Sequence, residues 1–547
     1  MNCNRMMGRL FIFIYLFIVL TQISGQPDSR FRPFDWVLYR GAGSITSITE
    51  GYTFAYIGTE SGGLKRFNLF GNNFDDPITT AQGLKDNHIT ATHFDMQTGL
   101  IWVASPDHIQ YSFSREGDWY ANALQTIGLS RYDWIKRIGS SSNFIWLQAR
   151  SSFIKLDHSS GTLVGIYPLP DEISIQWSSG PYTGQSDLNE IFMNYSVMDG
   201  WILNGDDLID RLGRRIPITT GFIGRHGNVF AGAEDGTVFY GTTTMETFLP
   251  VIPDISNTDV TAIYDDGNTL WLGSQDFVSS KGISWMDPRS IESQVYSFEE
   301  TINMTPSPIF SLYVTDSELW AGGDNILLVF DRKEDFWRTL GEERGAPPGK
   351  IWDLYGDPVH VWTGSSMGLR RIERSTRRED PIGIEYLFDQ VPVYDIEGIE
   401  DKIWIGSRSG LFIFSEDNPQ LRQGHDMGRK DFPEQMHRIT AIQEFERGIY
   451  VVGDMGIAKF DLEEKVWDLI FTSGVYHDKT VYSLAVNKRY LFLGTEDGLV
   501  RVNKKTGFVK DYSFSFLGQG NEIVLEGNTL WLGTSNGLVK FKWKRDL

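Results

Sequence analysis

Cysteine is almost missing from this sequence: among 547 residues there is one, Cys3. It sits ahead of the apolar run Leu10–Leu20, in a stretch that export would remove, so no disulfide is available to staple the rest of the chain. A chain this long does not need one, since its core can grow large enough without cross-links. Basic side chains are also scarce, with 50 lysines and arginines against 71 acids and a formal charge of −21. A surface of that sign repels phosphate backbones and anionic lipid heads, so nucleic acid is not an expected partner.

Long hydrophobic runs are missing too. LFIFIYLFIVL (Leu10–Leu20) is eleven residues, well short of the roughly 20 that cross a bilayer. With Arg5 and Arg9 before it and the small polar stretch Thr21–Gly25 after it, the run reads as a secretory signal peptide spanning residues 1–25. Those residues carry two arginines and no acid, so 48 basic side chains face 71 acidic ones downstream, a formal charge of −23. The mature chain is expected in the periplasm or at the cell surface, with no membrane span of its own. Helical periodicity is nearly absent. The nine histidines never fall at zinc-site or metalloprotease spacings, so no cofactor is expected from them.

What the chain has in quantity is core material, 41% hydrophobic and 14% aromatic, and a repeat. LFLGTEDGLVRV (Leu491–Val502) returns almost unchanged as LWLGTSNGLVKF (Leu530–Phe541). Upstream copies include IWIGSRSGLFIF (Ile403–Phe414), VWTGSSMGLRRI (Val361–Ile372), LWLGSQ (Leu270–Gln275) and LWAGGD (Leu319–Asp324). Looser copies begin at Ala55, Ile101, Phe144, Val229 and Val451, and a degenerate one lies near Ile191–Val197, making twelve. From Gly58 to Gly533 the spacing averages about 43 residues, which suits four strands per unit. Alternating β-branched and aromatic residues bounded by Gly, Asn and Asp turns make each unit an antiparallel sheet.

The class is therefore all-β, a β-propeller of about twelve blade repeats. One ring of twelve would leave a wide, unfilled channel, so two rings are expected, six plus six or seven plus five. Residues 34–300 take the first group and 301–547 the second, and strand 35–39 is the candidate to complete the last repeat, which stops at its third strand. The tryptophans Trp102, Trp146, Trp271, Trp320, Trp362, Trp404 and Trp531 share one template position, and packing between sheets explains them more simply than a ligand-stacking stripe.

Gly83-Leu84-Lys85-Asp86-Asn87-His88-Ile89, followed by Ile101-Trp102-Val103-Ala104, resembles the two-component regulator propeller repeat. That family builds periplasmic sensor regions of bacterial hybrid kinases. The opening around Trp36-Val37-Leu38-Tyr39 is similar to the propeller part of a type IX secretion surface protein. The resemblance covers residues 34–543 and implies a fold far more strongly than a function. Only six residues follow Phe541, so neither a kinase nor a C-terminal sorting domain is expected.

Two segments fit the Gly-x-Ser-x-Gly nucleophile pattern, around Ser366 and Ser535. Both fall on the turn between the second and third strands of the repeat, where sister copies place Glu496 or Arg408, and no helix pattern follows. They read as hairpin serines whose replacement by alanine costs no more than about 0.5 kcal/mol, and Gly537 as a residue with positive φ. Acidic residues recur on the same turns (Glu60, Glu234, Asp235, Asp276, Asp324, Glu496, Asp497), and calcium is the one ion such a collar would suit.

Two loops break the template, and loops are where propellers carry function. The sixth repeat inserts Asp276–Lys281, with Asp276, Phe277 and Lys281 as binding candidates, and Asp417–Gln435 is a partly basic excursion offering Arg422, His425 and Arg429. With no paired catalytic residues, the expectation is a non-enzymatic binder of an envelope protein or polysaccharide. The alternative is a sensing module with a small ligand in its central funnel and a separate membrane partner. A propeller-type lyase or hydrolase comes third.

Overall fold

A computed structural model of the protein describes residues 30–547 except 182–191, 193, 206, 254, 256–257, 276–280, 299–306, 416–420, 431 and 434–435. The signal-peptide reading of residues 1–25 lies outside the described residues. What is described is a β-propeller fold of antiparallel sheets, most of them four-stranded, joined by short 3-10 turns. Among the described residues, no helix is long and apolar enough to cross a membrane.

The chain forms two compact units. Of the described residues, one comprises 42–253 with 30–38 and 544–547; the other comprises 254–543 with Tyr39–Gly41. The division thus falls ahead of the 300/301 position read from the repeat count. The described residues form eleven sheets, not twelve. The degenerate repeat near Ile191 lies largely outside the described residues, and of it Ser196–Val197 pairs in parallel with Thr247–Phe248 at the edge of a neighbouring sheet. It lacks the Leu-Trp-x-Gly run that forms the second strand elsewhere.

The unit 254–543 holds seven sheets, whose innermost strands begin at Val260, Ile309, Ile351, Val393, Ala441, Val481 and Gly520. Each innermost strand lies against the next and the last returns to the first, so the seven form a closed ring. The final sheet has Trp36–Tyr39 as its outermost strand, in the order Trp36–Tyr39, Gly537–Phe541, Thr529–Thr534, Gly520–Glu526.

Packing between sheets follows from the template. Its tryptophans are buried, at 0% exposure for Trp102, Trp146, Trp320 and Trp362, which leaves no ring face for a ligand. The basic residue of the third strand sits directly across from the tryptophan, as in Trp362 with Arg371 and Trp531 with Lys540. Its charged end lies over the ring, 5.5 Å and 5.6 Å from the centroid, so one residue both covers the indole and reaches water.

The hairpin glycine is demanded by its backbone. Gly537 has φ 139°, and the equivalent Gly498 has φ 140°, where an added Cβ would stand 2.4 Å from the Tyr512 carbonyl oxygen. The turn serines do more than the sequence suggested. Ser535 Oγ accepts a hydrogen bond from the Gln519 N–H at 3.0 Å, and Ser366 Oγ accepts one from Lys350 N–H at 3.0 Å. Each ties its turn to the chain entering its own sheet. Ser535→Ala is therefore expected to cost about 1 kcal/mol, and Gly498→Ala about 1–3 kcal/mol, in urea titrations. Equal, negligible losses in both would contradict this account of the turns.

Candidate functional site

The seven innermost strands repeat one local plan. An aliphatic residue packs between sheets, the next residue is looped out by a β-bulge, and the one after directs its side chain toward the neighbouring sheet. Six of the seven strands carry the bulge, at Thr261, Phe310, Trp352, Tyr394, Tyr482 and Asn521. Bulges re-aim side chains and loosen pairing, and they recur at barrel rims and beside binding sites. Because each innermost strand begins at the end where the second strand finishes, these residues share one end of the ring with the turns between second and third strands.

That end carries an aromatic rim. Trp352 and Tyr394, on adjacent innermost strands, stack with centroids 5.1 Å apart and planes inclined by 19°. Both are half-buried, and Tyr482 is 36% exposed. The Lys350 ammonium lies 5.1 Å from the Phe310 ring centroid. Asn521 joins the last sheet to the first by donating from Nδ2 to the Val260 carbonyl at 2.9 Å.

Directly below, the next position holds Ala262, Ser311, Asp353, Asp395, Ala441, Ser483 and Glu522 around the ring. Three of the polar ones, Ser311, Asp353 and Asp395, latch one sheet to the next. Ser311 Oγ donates to the Ile351 carbonyl at 3.0 Å, Asp353 Oδ2 accepts from the Ile396 N–H at 2.6 Å, and Asp395 Oδ2 accepts from the Ile442 N–H. Two residues further along come Tyr264, Tyr313, Tyr355, Glu397 and Gln443. Tyr264 and Tyr313 meet edge to face at 6.2 Å, and the Tyr355 ring lies so close over Gly398 that a Cβ there would meet its hydroxyl at 1.8 Å.

Four carboxyls therefore face one another along the axis. Burial, with the nearby Asp353 charge, pushes Glu397 up to about 7 and Glu522 to about 8. Burial raises Asp353 to about 6, even though it accepts hydrogen bonds, and burial with the Asp353 charge raises Asp395 well above the usual carboxylate range. All four nevertheless keep some contact with solvent.

The residues singled out from sequence lie elsewhere. Asp276 and Phe277 fall outside the described residues, and Lys281 opens the third strand of its sheet. Arg422 stands on the outermost strand Leu421–Gln423, and His425 on the 3-10 turn Gly424–Asp426. Arg422, His425 and Arg429 are all exposed, but they flank a loop that is anchored to the core. Phe432 is buried against Trp467 at 4.7 Å, and Trp467 Nε1 donates to the Gly424 carbonyl at 3.1 Å. Among the described residues, no group of three or more His, Cys, Asp or Glu is arranged to hold a metal ion. Of the acidic turn residues in this unit, Asp497 is bound to Lys479 at 2.9 Å and Asp324 accepts from Asn325 at 2.9 Å.

The axial residues lie neither in the recurrent Leu-Trp-x-Gly template nor in its insertions, the two signals by which the sequence marks candidates. The signal is the opposite one: in an otherwise regular strand, one column alternates between Thr, Phe, Trp and Tyr, and the next between Ala, Ser, Asp and Glu.

Two other features are less suited to binding. An open pocket of about 330 Å³ is lined by Tyr264, Asp265, Asp266, Asn268, Val314, Thr315, Asp316 and Arg332, but Arg332 is already held by Asp266 at 3.3 Å and the Thr315 carbonyl at 2.8 Å. In the unit 42–253, His93 bridges Ser178 Oγ (2.6 Å) and Ser140 Oγ (2.9 Å), and Ser178 Oγ donates to Thr49 Oγ1 at 3.1 Å. Burial lowers His93 to about 4, so it is neutral at pH 7, and its serines are buried as well. This is a closed polar node where three sheets meet the segment Gln176–Pro181.

No family model matches the sequence, and no curated protein does. Among solved structures, the extracellular domain of a putative hybrid two-component system, BT4673 of B. thetaiotaomicron, is 12% identical over 91% of this chain and 70% of that one, with a TM-score of 0.41. Virginiamycin B lyase from Staphylococcus aureus is 12% identical over 52% of this chain and 94% of its own, with a TM-score of 0.41. The WD40 β-propeller domain of Doa1 is 14% identical over 52% and 92%, with a TM-score of 0.39.

Proposed function

We propose that this chain is an exported, non-catalytic binding propeller that recognises a small ligand in the axial mouth of its seven-sheet unit. The observation that carries this reading is the stacked, half-exposed pair Trp352 and Tyr394 above a solvent-touched lumen. Aromatic faces presented at a rigid rim are what a polar ligand with an apolar face needs. Absence of turnover is favoured by how the lumen carboxyls are held: Asp353 and Asp395 are each fixed by a backbone N–H group of the next sheet. Export rests on the N-terminal apolar run, and an envelope setting, in sensing or in a type IX secretion assembly, on the propeller-repeat resemblance. The axial site favours sensing over scaffolding, because a small ligand there biases seven sheets at once.

The test is a library of glycans and small polar molecules screened for binding and for product. Binding weakened at least about tenfold by Trp352→Ala, with unchanged melting temperature and no product formed, is expected. Reproducible turnover lost on Glu397→Gln would overturn the non-catalytic reading.

A further inference from the structure

The axial carboxyls are unusual in lacking cations. Elsewhere in the same unit, deep carboxylates are paired: Glu318 with Arg374 at 3.2 Å and Arg377 at 2.5 Å, and Asp511 with Lys479 at 2.5 Å. Among the described residues, no Lys, Arg or His is paired with Asp353, Asp395, Glu397 or Glu522, and no cation helps to hold any of them ionised. Buried charge is ordinarily paired, and these carboxyls have backbone N–H partners at most, so a positive group arriving from outside would favour their ionised form.

Two further observations point the same way. At the rim, Phe310 already accepts the Lys350 ammonium on its face, whereas among the described residues no cation lies over Trp352 or Tyr394. In the lumen, two buried polar atoms of neighbouring strands have no hydrogen-bond partner: Gln443 Oε1, an acceptor, and the Oγ of Ser483, itself 4% exposed. Aromatic faces above unpaired acceptors and uncompensated carboxyls are the chemistry that selects an ammonium group over its neutral isostere.

We infer that the axial mouth selects a ligand bearing a primary ammonium group, seated against Trp352 and Tyr394 with its charge directed to the lumen carboxyls. This rests on the binding reading above and narrows it to a chemical class. The groups facing the site are acids and phenols: Asp353 and Tyr355 on one strand, Asp395 and Glu397 on the next, then Glu444, Glu522, and Tyr264 with Tyr313. As pH rises from 5.5 to 8 the carboxyls lose protons while an alkylammonium, with a pKa near that of lysine at about 10.4, keeps its own. Affinity for the amine therefore rises across that window.

The experiment titrates the full-length mature protein with n-butylamine and, separately, n-butanol, followed by tryptophan fluorescence and calorimetry at pH 5.5, 7 and 8. The expected result is a preference for the amine of about tenfold at pH 8, smaller at pH 5.5, and reduced both in Trp352→Ala and in Glu397→Gln. Should Glu397→Gln fail to fold, Glu522→Gln serves in its place. Equal binding of the two probes, still dependent on Trp352, would overturn the ammonium inference and leave the binding reading standing. So would failure of both probes beside a neutral library ligand that needs Trp352. Failure of both probes with no Trp352-dependent ligand in the library would overturn both.

Discussion

Replacing Tyr39 by alanine is expected to destabilise the unit 254–543 by about 3–5 kcal/mol, the range for deleting a large aromatic side chain from a core. Tyr39 is fully buried, and its ring lies 6.1 Å from that of Trp531 in the same unit. It also ends the strand that completes the last sheet, so the cavity opens where the ring closes. Denaturant unfolding should show the loss, and hydrogen exchange should locate it in Gly520–Phe541 before the sheets starting at Ile309 and Ile351. A loss below about 1 kcal/mol, the usual size of an ordinary surface change or less, or protection lost evenly across all seven sheets, would contradict closure by this strand.

Raising the pH from 5 to 8.5 is expected to lower the stability of the same unit. Asp353, Asp395, Glu397 and Glu522 hold their protons to higher pH in the fold than in the unfolded chain. Groups raised in this way contribute stability that is fully present below the ordinary carboxylate range of about 4 and is lost as pH climbs through the folded values. The loss begins above about 4 and ends near 6 for Asp353, near 7 for Glu397 and near 8 for Glu522, which sets the window. Each pH unit between unfolded and folded values represents about 1.4 kcal/mol per group, so the melting temperature should fall by several degrees. Glu522→Gln should flatten the profile. A melting temperature that rises between pH 5 and 8.5 would mean the lumen carboxyls are not protonated in the fold.

The propeller fold was legible because it is written many times over. Leu491–Val502 and Leu530–Phe541 state the strand-turn-strand unit almost in full, and the buried tryptophans confirm packing as their purpose. The sheet count was less legible where the template decays: the described residues between Leu163 and Arg215 add short strands to the edges of other sheets. The axial site was hidden for a different reason. Trp352 and Asp353 occupy a strand that reads as ordinary alternation, and only a bulge, which inserts one unpaired residue, turns neighbouring side chains to the rim and to the next sheet. A bulge leaves no composition signature, whereas an insertion such as Asp417–Gln435 does. That excursion reads in the sequence as a partly basic binding loop, yet it carries Phe432 into the core.

The most direct measurement compares one ligand, selected by the wild-type protein from the library, against two variants that differ in location. Trp352→Ala alters the axial rim, and the double variant Arg422→Ala with Arg429→Ala alters the exposed loop. The account predicts that affinity falls at least about tenfold in the first and is unchanged in the second. Binding that survives Trp352→Ala and disappears in the loop variant would place recognition on the outer edge and contradict the axial site.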